Sequence, residues 1–153
     1  MKTILVPVDF SGATQAVIDA AIELRGKTTA KIVILHVIPP PVLTSGYGPM
    51  IENVPEVIAA TERAAILQVD RIKADLKKRK ISVEALHAVG MPASVIVDQA
   101  KKRKPAYIVL GSHGHTAVYD LFVGSTTHLV LKNSPSPVVV VPLNSRNQPK
   151  QRR

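Results

Sequence analysis

Apolar positions along this chain alternate between two periods. Short, nearly continuous aliphatic runs, such as Thr3 to Val8 and Lys31 to Val37, are separated by stretches whose apolar residues recur every three or four positions. Runs of the first kind read as buried strands, the others as amphipathic helices. Ala13, Ala16, Val17, Ala20, Ala21 and Leu24 mark a first helix after the first strand, with Ser11 or Thr14 as its expected cap and Gly26 as its stop. The run from Lys31 to Val37 predicts a strand buried on both faces, and Pro39-Pro40-Pro41 ends it. A connection of little periodicity, from Pro39 to about Val54, precedes a second helix with an apolar stripe running through Val57, Ile58, Ala65, Val69, Ile72 and Leu76.

Ser82 to Val89 predicts a third strand, and Pro92 sits where the first turn of a third helix accepts proline, followed by Val95, Ile96, Gln99 and Ala100. Ala106 to Leu110 predicts a fourth strand, the stretch from near Val118 to Asn133 a fourth helix, and Val138 to Val141 a fifth strand. Strands alternating with helices imply right-handed crossovers. The predicted fold is therefore α/β: one domain with a doubly wound, Rossmann-like parallel sheet of five strands and helices on both faces. Ligands of such sheets lie beyond the carboxyl ends of the strands, at the switch point of the topology. Asp9, Val37, Gly90 and Gly111 all fall at those ends.

Two glycine clusters stand at that edge. Leu110-Gly111-Ser112-His113-Gly114 follows the fourth strand, and Gly124-Ser125-Thr126 opens the next helical segment. Glycine lets backbone N–H groups approach a ligand, and a helix start offers free donors and a positive dipole end. Together they read as a divided phosphate cradle.

Composition narrows the alternatives. Aromatics are 3% of the chain against 46% hydrophobic residues, so the core is aliphatic. Without cysteine there are no disulfides, thiolate metal sites or cysteine nucleophiles. The start of the chain does not read as a signal peptide, and no apolar run has the length of a membrane span, so a soluble, cytoplasmic protein with no membrane partner is expected. The formal charge is +9. Arg146, Lys150, Arg152 and Arg153 contribute to it from residues 144–153, a tail expected to be disordered beyond a domain of residues 1–143. Lys77-Lys78-Arg79-Lys80 and Lys101-Lys102-Arg103-Lys104 each close a predicted helix, where cations complement the negative dipole end. With so few aromatics for stacking, nucleic acid is not the expected partner.

The residues at the sheet edge resemble those of the universal stress protein family. Its Gly-x-x-Gly, nine-residue gap, Gly-Ser/Thr signature is matched by Gly111, Gly114, Gly124 and Ser125, and its opening strand by Ile4 to Asp9. Leu35-His36-Val37, Val89-Gly90-Met91-Pro92 and Ser136 to Pro142 extend the likeness over roughly residues 2 to 142. The resemblance implies an adenine-nucleotide-binding domain that usually dimerises. On this reading Asp9 meets the nucleoside end and Val8 and Val37 flank the adenine. Gly111, Gly114, Gly124, Ser125 and Thr126 hold phosphates and ribose, and Pro7, Gly90, Leu110, Ser112 and His113 complete the candidate site. The expected ligand is ATP, with any Mg2+ held mainly by the phosphates.

No catalytic residue is expected. A Walker lysine is absent, Asp9 lacks companion carboxylates, and no Ser-His-Asp context appears, so any ATP hydrolysis should be slow. His113, His115 and His128 do not suggest zinc, since a glycine-rich loop holds two of them and no supporting acid is evident. A regulatory nucleotide-binding module of the stress response is the leading expectation. A nucleotide-independent interaction protein and a weak ATPase are the alternatives. Ser136-Pro137 and Pro142 fence an aliphatic strand expected at a sheet edge, which suggests a homodimer through Val138 to Val141.

Overall fold

A computed structural model of the chain describes residues 2–26, 28–40, 54–112 and 123–142. The elements run β1 (Thr3–Val8), α1 (Thr14–Arg25), β2 (Lys31–Ile38), α2 (Val54–Lys78), β3 (Val83–Val89), α3 (Pro92–Arg103), β4 (Tyr107–Gly111), α4 (Ser125–Asn133) and β5 (Val138–Val141). The five strands form one sheet in the order β3-β2-β1-β4-β5, every pair parallel. Most of the long connection after Pro40, the residues between Ser112 and Val123 and the basic tail lie outside the described residues.

Strand order and handedness together decide which helix covers which face. From β1 the chain steps outward through β2 to β3, then returns past β1 to β4 and β5. Right-handed crossovers in opposite directions put their helices on opposite faces. Accordingly Val17, Ile18 and Ala21 of α1 and Val69 and Leu76 of α2 pack with Ile4, Val6, Ile32, Ile34 and Val109. Ile96, Val97 and Ala100 of α3 and Val130 of α4 pack with Leu5, Val33, Leu35, Ile108 and Leu110 on the other side. Successive strand residues feed alternate cores, which is why the central strands are apolar without interruption.

Three details depart from the sequence pattern. Ile18 takes the buried place in α1 and Leu24 is 40% exposed, because the helix is rotated by its contact with the sheet. Neither Ser11 nor Thr14 caps α1; Ala13 holds the cap position, and Ser11 Oγ instead accepts a bond from the Ala13 N–H within the preceding turn (3.3 Å). The fourth helix begins at Ser125 and not near Val118. Gly124 has extended backbone angles and serves as its N-cap, so Val123 and Gly124 belong to the loop.

Candidate functional site

The order in which strands are added reverses between β1 and β4, and a cavity of about 410 Å3 opens there, at the carboxyl ends of the strands. Its floor comes from Pro7, Val8 and Asp9 of β1 and the turn after it, Leu35, His36 and Val37 of β2, and Leu110 and Gly111 of β4. Ala13, Thr14 and Val17 of α1 wall it on one face and Pro92 and Ile96 of α3 on the other, so the cavity straddles both cores. Gly124, Ser125, Thr126 and Thr127, at the start of α4, form the polar rim.

Backbone and side-chain bonds explain how residues thirteen positions apart come to share that rim. The Gly124 N–H donates to the Ser112 carbonyl (2.7 Å), and Thr127 Oγ1 donates to the Gly111 carbonyl (2.8 Å). The Ser112 N–H in turn donates to Val141 O (2.8 Å), which joins the end of β4 to the end of β5. Thr127 is buried, so its hydroxyl fixes the α4 terminus against the strand where water does not compete. The first N–H groups of α4 have no acceptor within the helix, and they open onto the rim with the Ser125 and Thr126 hydroxyls beside them.

Asp9 is exposed, and one of its carboxylate oxygens accepts the Ser11 N–H at 3.0 Å, so the side chain shapes the β1–α1 turn while lining the cavity. Phe10, next in the turn, adopts φ 60, and its ring stacks on His36 with centroids 4.2 Å apart. His36 Nδ1 lies 2.8 Å from the Val8 carbonyl, which only accepts, so Nδ1 carries the proton. The stack and this bond together hold the first turn against the second strand. Asp9 and His36 are the titratable groups among the described lining residues, and none of those residues is Lys or Arg.

Of the residues expected from the sequence, Pro7, Val8, Asp9, Val37, Leu110, Gly111, Gly124, Ser125 and Thr126 line the cavity. Ser112 stitches the rim and is not among the lining residues. Gly90 is not among them either; its N–H donates to Ile38 O (3.0 Å), its φ is 155, and a Cβ there would stand 2.9 Å from the Val95 side chain, so backbone angle and close packing both call for glycine. His113 and Gly114 lie outside the described residues. The sequence reading missed Thr14, His36, Pro92 and Thr127. His36 had a signal, since it immediately precedes Val37 at a strand's carboxyl end.

A doubly wound parallel sheet with an apolar cleft at its switch point, rimmed by glycine and a helix start, has the geometry in which sheets of this kind place their ligands. The chain belongs to the universal stress protein family, whose model matches residues 1–142. Universal stress protein YxiE of Bacillus subtilis is 29% identical over 142 residues, covering 90% of this chain and 96% of that protein. The solved structure of MJ0577 of Methanocaldococcus jannaschii superposes with a TM-score of 0.81 at 28% identity, covering 94% of this chain and 97% of that one. Two more distant structures share the fold. One is a universal stress protein in complex with cAMP (22% identity, TM-score 0.65, 92% and 96% covered). The other is an Arabidopsis thaliana family member with AMP bound (16%, 0.70, 99% and 97%).

Proposed function

We propose that this chain binds an adenine nucleotide, ATP in the first instance, in the switch-point cavity and acts as a regulatory binding module of the stress response in the cytoplasm. The observation that carries this reading is the joined rim, where Gly111 and Gly124-Ser125-Thr126 meet beside an apolar floor of Val8, Val37 and Leu110. An apolar floor suits a base, and helix-start donors with hydroxyls suit phosphate and ribose. The cAMP and AMP complexes of the two distant relatives support the adenine class. Any magnesium would enter with the phosphates as their counter-ion.

Thr14 offers a sharp test. Its hydroxyl oxygen lies in the cavity wall, buried and without a hydrogen-bond partner among the described residues. A polar atom of the occupant would satisfy it. Thr14→Val removes the orphaned hydroxyl at nearly constant shape, so thermal stability should hold or rise. Nucleotide affinity should fall by about tenfold, the worth of one lost hydrogen bond. Calorimetry on both proteins checks this, and unchanged affinity would take Thr14 out of the site.

Turnover is expected to be slow, because the two titratable lining groups, Asp9 and His36, are already engaged with the Ser11 amide and the Val8 carbonyl. A steady-state phosphate-release assay should stay below about 1 per second, the low end of ordinary enzymes. A faster rate would make the weak-ATPase reading the better one.

We further propose a homodimer through β5. The strand is at the sheet's edge and all four of its valines are half-buried. Val139 and Val141 pack partly against the α1–α2 core and Val138 against the other, while Val140 belongs to neither. Val140→Lys is therefore the cleaner probe. It should leave the fold intact and shift light scattering from dimer toward monomer at tens of micromolar, whereas a dimer unaffected by it would place the interface elsewhere.

A further inference from the structure

The two basic blocks, Lys77-Lys78-Arg79-Lys80 and Lys101-Lys102-Arg103-Lys104, take no part in the cavity. They follow the ends of α2 and α3, and helices of a parallel α/β layer run back against the strands, so both blocks come to the amino-terminal edge of the sheet. Backbone bonds fix them there. The Ile32 N–H donates to Ser82 O (2.9 Å), the Lys31 N–H to Lys2 O (3.0 Å) and the Ala106 N–H to Thr3 O (2.8 Å). With the strands ordered β3-β2-β1-β4, Lys80, Lys31, Lys2 and Lys104 stand in that sequence along the edge, about 5 Å from strand to strand. Lys77 and Lys78 flank this row on one face of the sheet, Lys101 and Lys102 on the other, all four exposed. The nearby Glu84 is already paired with Arg103 (2.8 Å) and Lys31 (3.6 Å), and the Arg103 hydrogen bond holds its carboxyl below the ordinary range against the pull of burial.

The lysines that end the blocks add an independent observation. Lys80 and Lys104 have φ 58 and φ 46, in the left-handed region. At the end of α2, the Lys80 N–H donates to Lys77 O (2.9 Å) and the Ile81 N–H to Leu76 O (3.0 Å), which is a Schellman motif; at α3, the Lys104 N–H donates to Ala100 O (2.9 Å). Glycine is the usual residue there because a Cβ crowds the following carbonyl. The same chain ends α1 on a glycine, Gly26, whose φ 53 and ψ −134 lie outside the αL well. Complementing the helix dipole does not call for the extra cation, since Lys77, Lys78, Lys101 and Lys102 already fill the last turns. The same strain, held twice on one edge for the same side chain, points to a use for the charge at that position.

We propose that this edge docks the phosphodiester backbone of duplex nucleic acid, without regard to sequence. The array spans four strands and both faces, more than one small anion could engage. Arg25 and Arg103 are committed internally, to Ala30 O and to Gln99 and Glu84, which leaves point-charge lysines and few guanidinium forks for base edges. Rigidly placed cations gain most against a partner whose own charges are fixed and dense, as on a duplex. A fluid anionic membrane would be served as well by an unstrained basic tail. Sequence spacing alone reads these blocks as helix ends; only the topology shows that they share one surface.

The test is fluorescence anisotropy of the full chain with a labelled mixed-sequence duplex between about 50 and 200 mM salt. Wild type should bind, with log affinity falling linearly against log salt by about 0.9 for each phosphate neutralised. The double variant Lys80→Gly/Lys104→Gly decides the matter. Relief of two strained positions should raise its melting temperature by about 3–6 °C. Its affinity should meanwhile fall about tenfold, with a salt slope shallower by about two. A charge-matched control, Arg63→Gln/Arg71→Gln, exposed positions earlier on α2 and away from its basic end, should stay within about twofold of wild type, because charges off the surface act only through screened, long-range attraction. The proposal is overturned by absence of binding at about 50 mM salt, or by an equal loss in the control. It is equally overturned if vesicles rich in anionic phospholipid displace the duplex with the same dependence on Lys80 and Lys104.

Discussion

Gly124→Asp should leave the protein folded and its nucleotide binding sharply weakened. Gly124 is the N-cap of α4, with φ −58 and ψ 155, angles open to any residue, and no side chain caps the helix at present. Aspartate is among the preferred N-cap residues, so the variant should melt at or slightly above the wild-type temperature. The same carboxylate would stand at the rim against the incoming phosphates. Two unit charges about 4 Å apart cost about 1 kcal/mol in water and about 4 kcal/mol near a protein surface, enough to lower affinity by roughly fivefold to a thousandfold. Gly124→Ser separates charge from bulk, since serine caps equally well and carries no charge. It should keep binding within about twofold of wild type. Calorimetry with ATP and magnesium, alongside thermal melts, reads both properties. Undiminished affinity in Gly124→Asp would move the phosphates away from the α4 terminus.

The largest effect on stability should come from Leu5→Ala. Leu5 is fully buried in the centre of β1, in register with Val33 of β2 and Ile108 of β4, and it belongs to the core beneath α3 and α4. Truncation removes its contacts and leaves a space that three parallel strands cannot collapse into. A loss of about 3 kcal/mol, within the 2–5 kcal/mol seen for buried leucines, is expected, or roughly 6–12 °C in melting temperature for a domain of this size. Urea unfolding checks it. A cost under about 1 kcal/mol would mean that the sheet repacks far more freely than a close-packed interior allows.

Much of this architecture is legible in the chain because its strands are buried on both faces. Lys31–Ile38 is apolar almost throughout, which only a covered parallel strand requires, and the alternation of such runs with helical stripes fixes the topology class. Gly111 and Gly124 are equally legible, because a glycine directly after an apolar run and another at a helix start have few other uses. What was not legible depends on tertiary geometry. The rotation of α1 that buries Ile18 and exposes Leu24 is set by the sheet, and the helical stripe accommodates either. The apolar stretch before Val123 extends the periodicity past the true start of α4, so pattern alone put that boundary too early. Thr14 and Thr127 look like ordinary helix residues until the fold turns one into the cavity and the other onto the Gly111 carbonyl. Gly90 shows the reverse, a residue placed at the right edge whose glycine serves a φ of 155 and packing against Val95.

The central claim is that the cavity between β1 and β4 is a nucleotide site, and titration calorimetry of the wild-type chain with ATP and magnesium tests it most directly. Binding at micromolar to sub-millimolar strength, roughly −5 to −8 kcal/mol, is the predicted result, with a matching rise in melting temperature at saturating nucleotide. No heat with ATP, AMP or cAMP, together with a melting temperature unmoved by any of them, would contradict it.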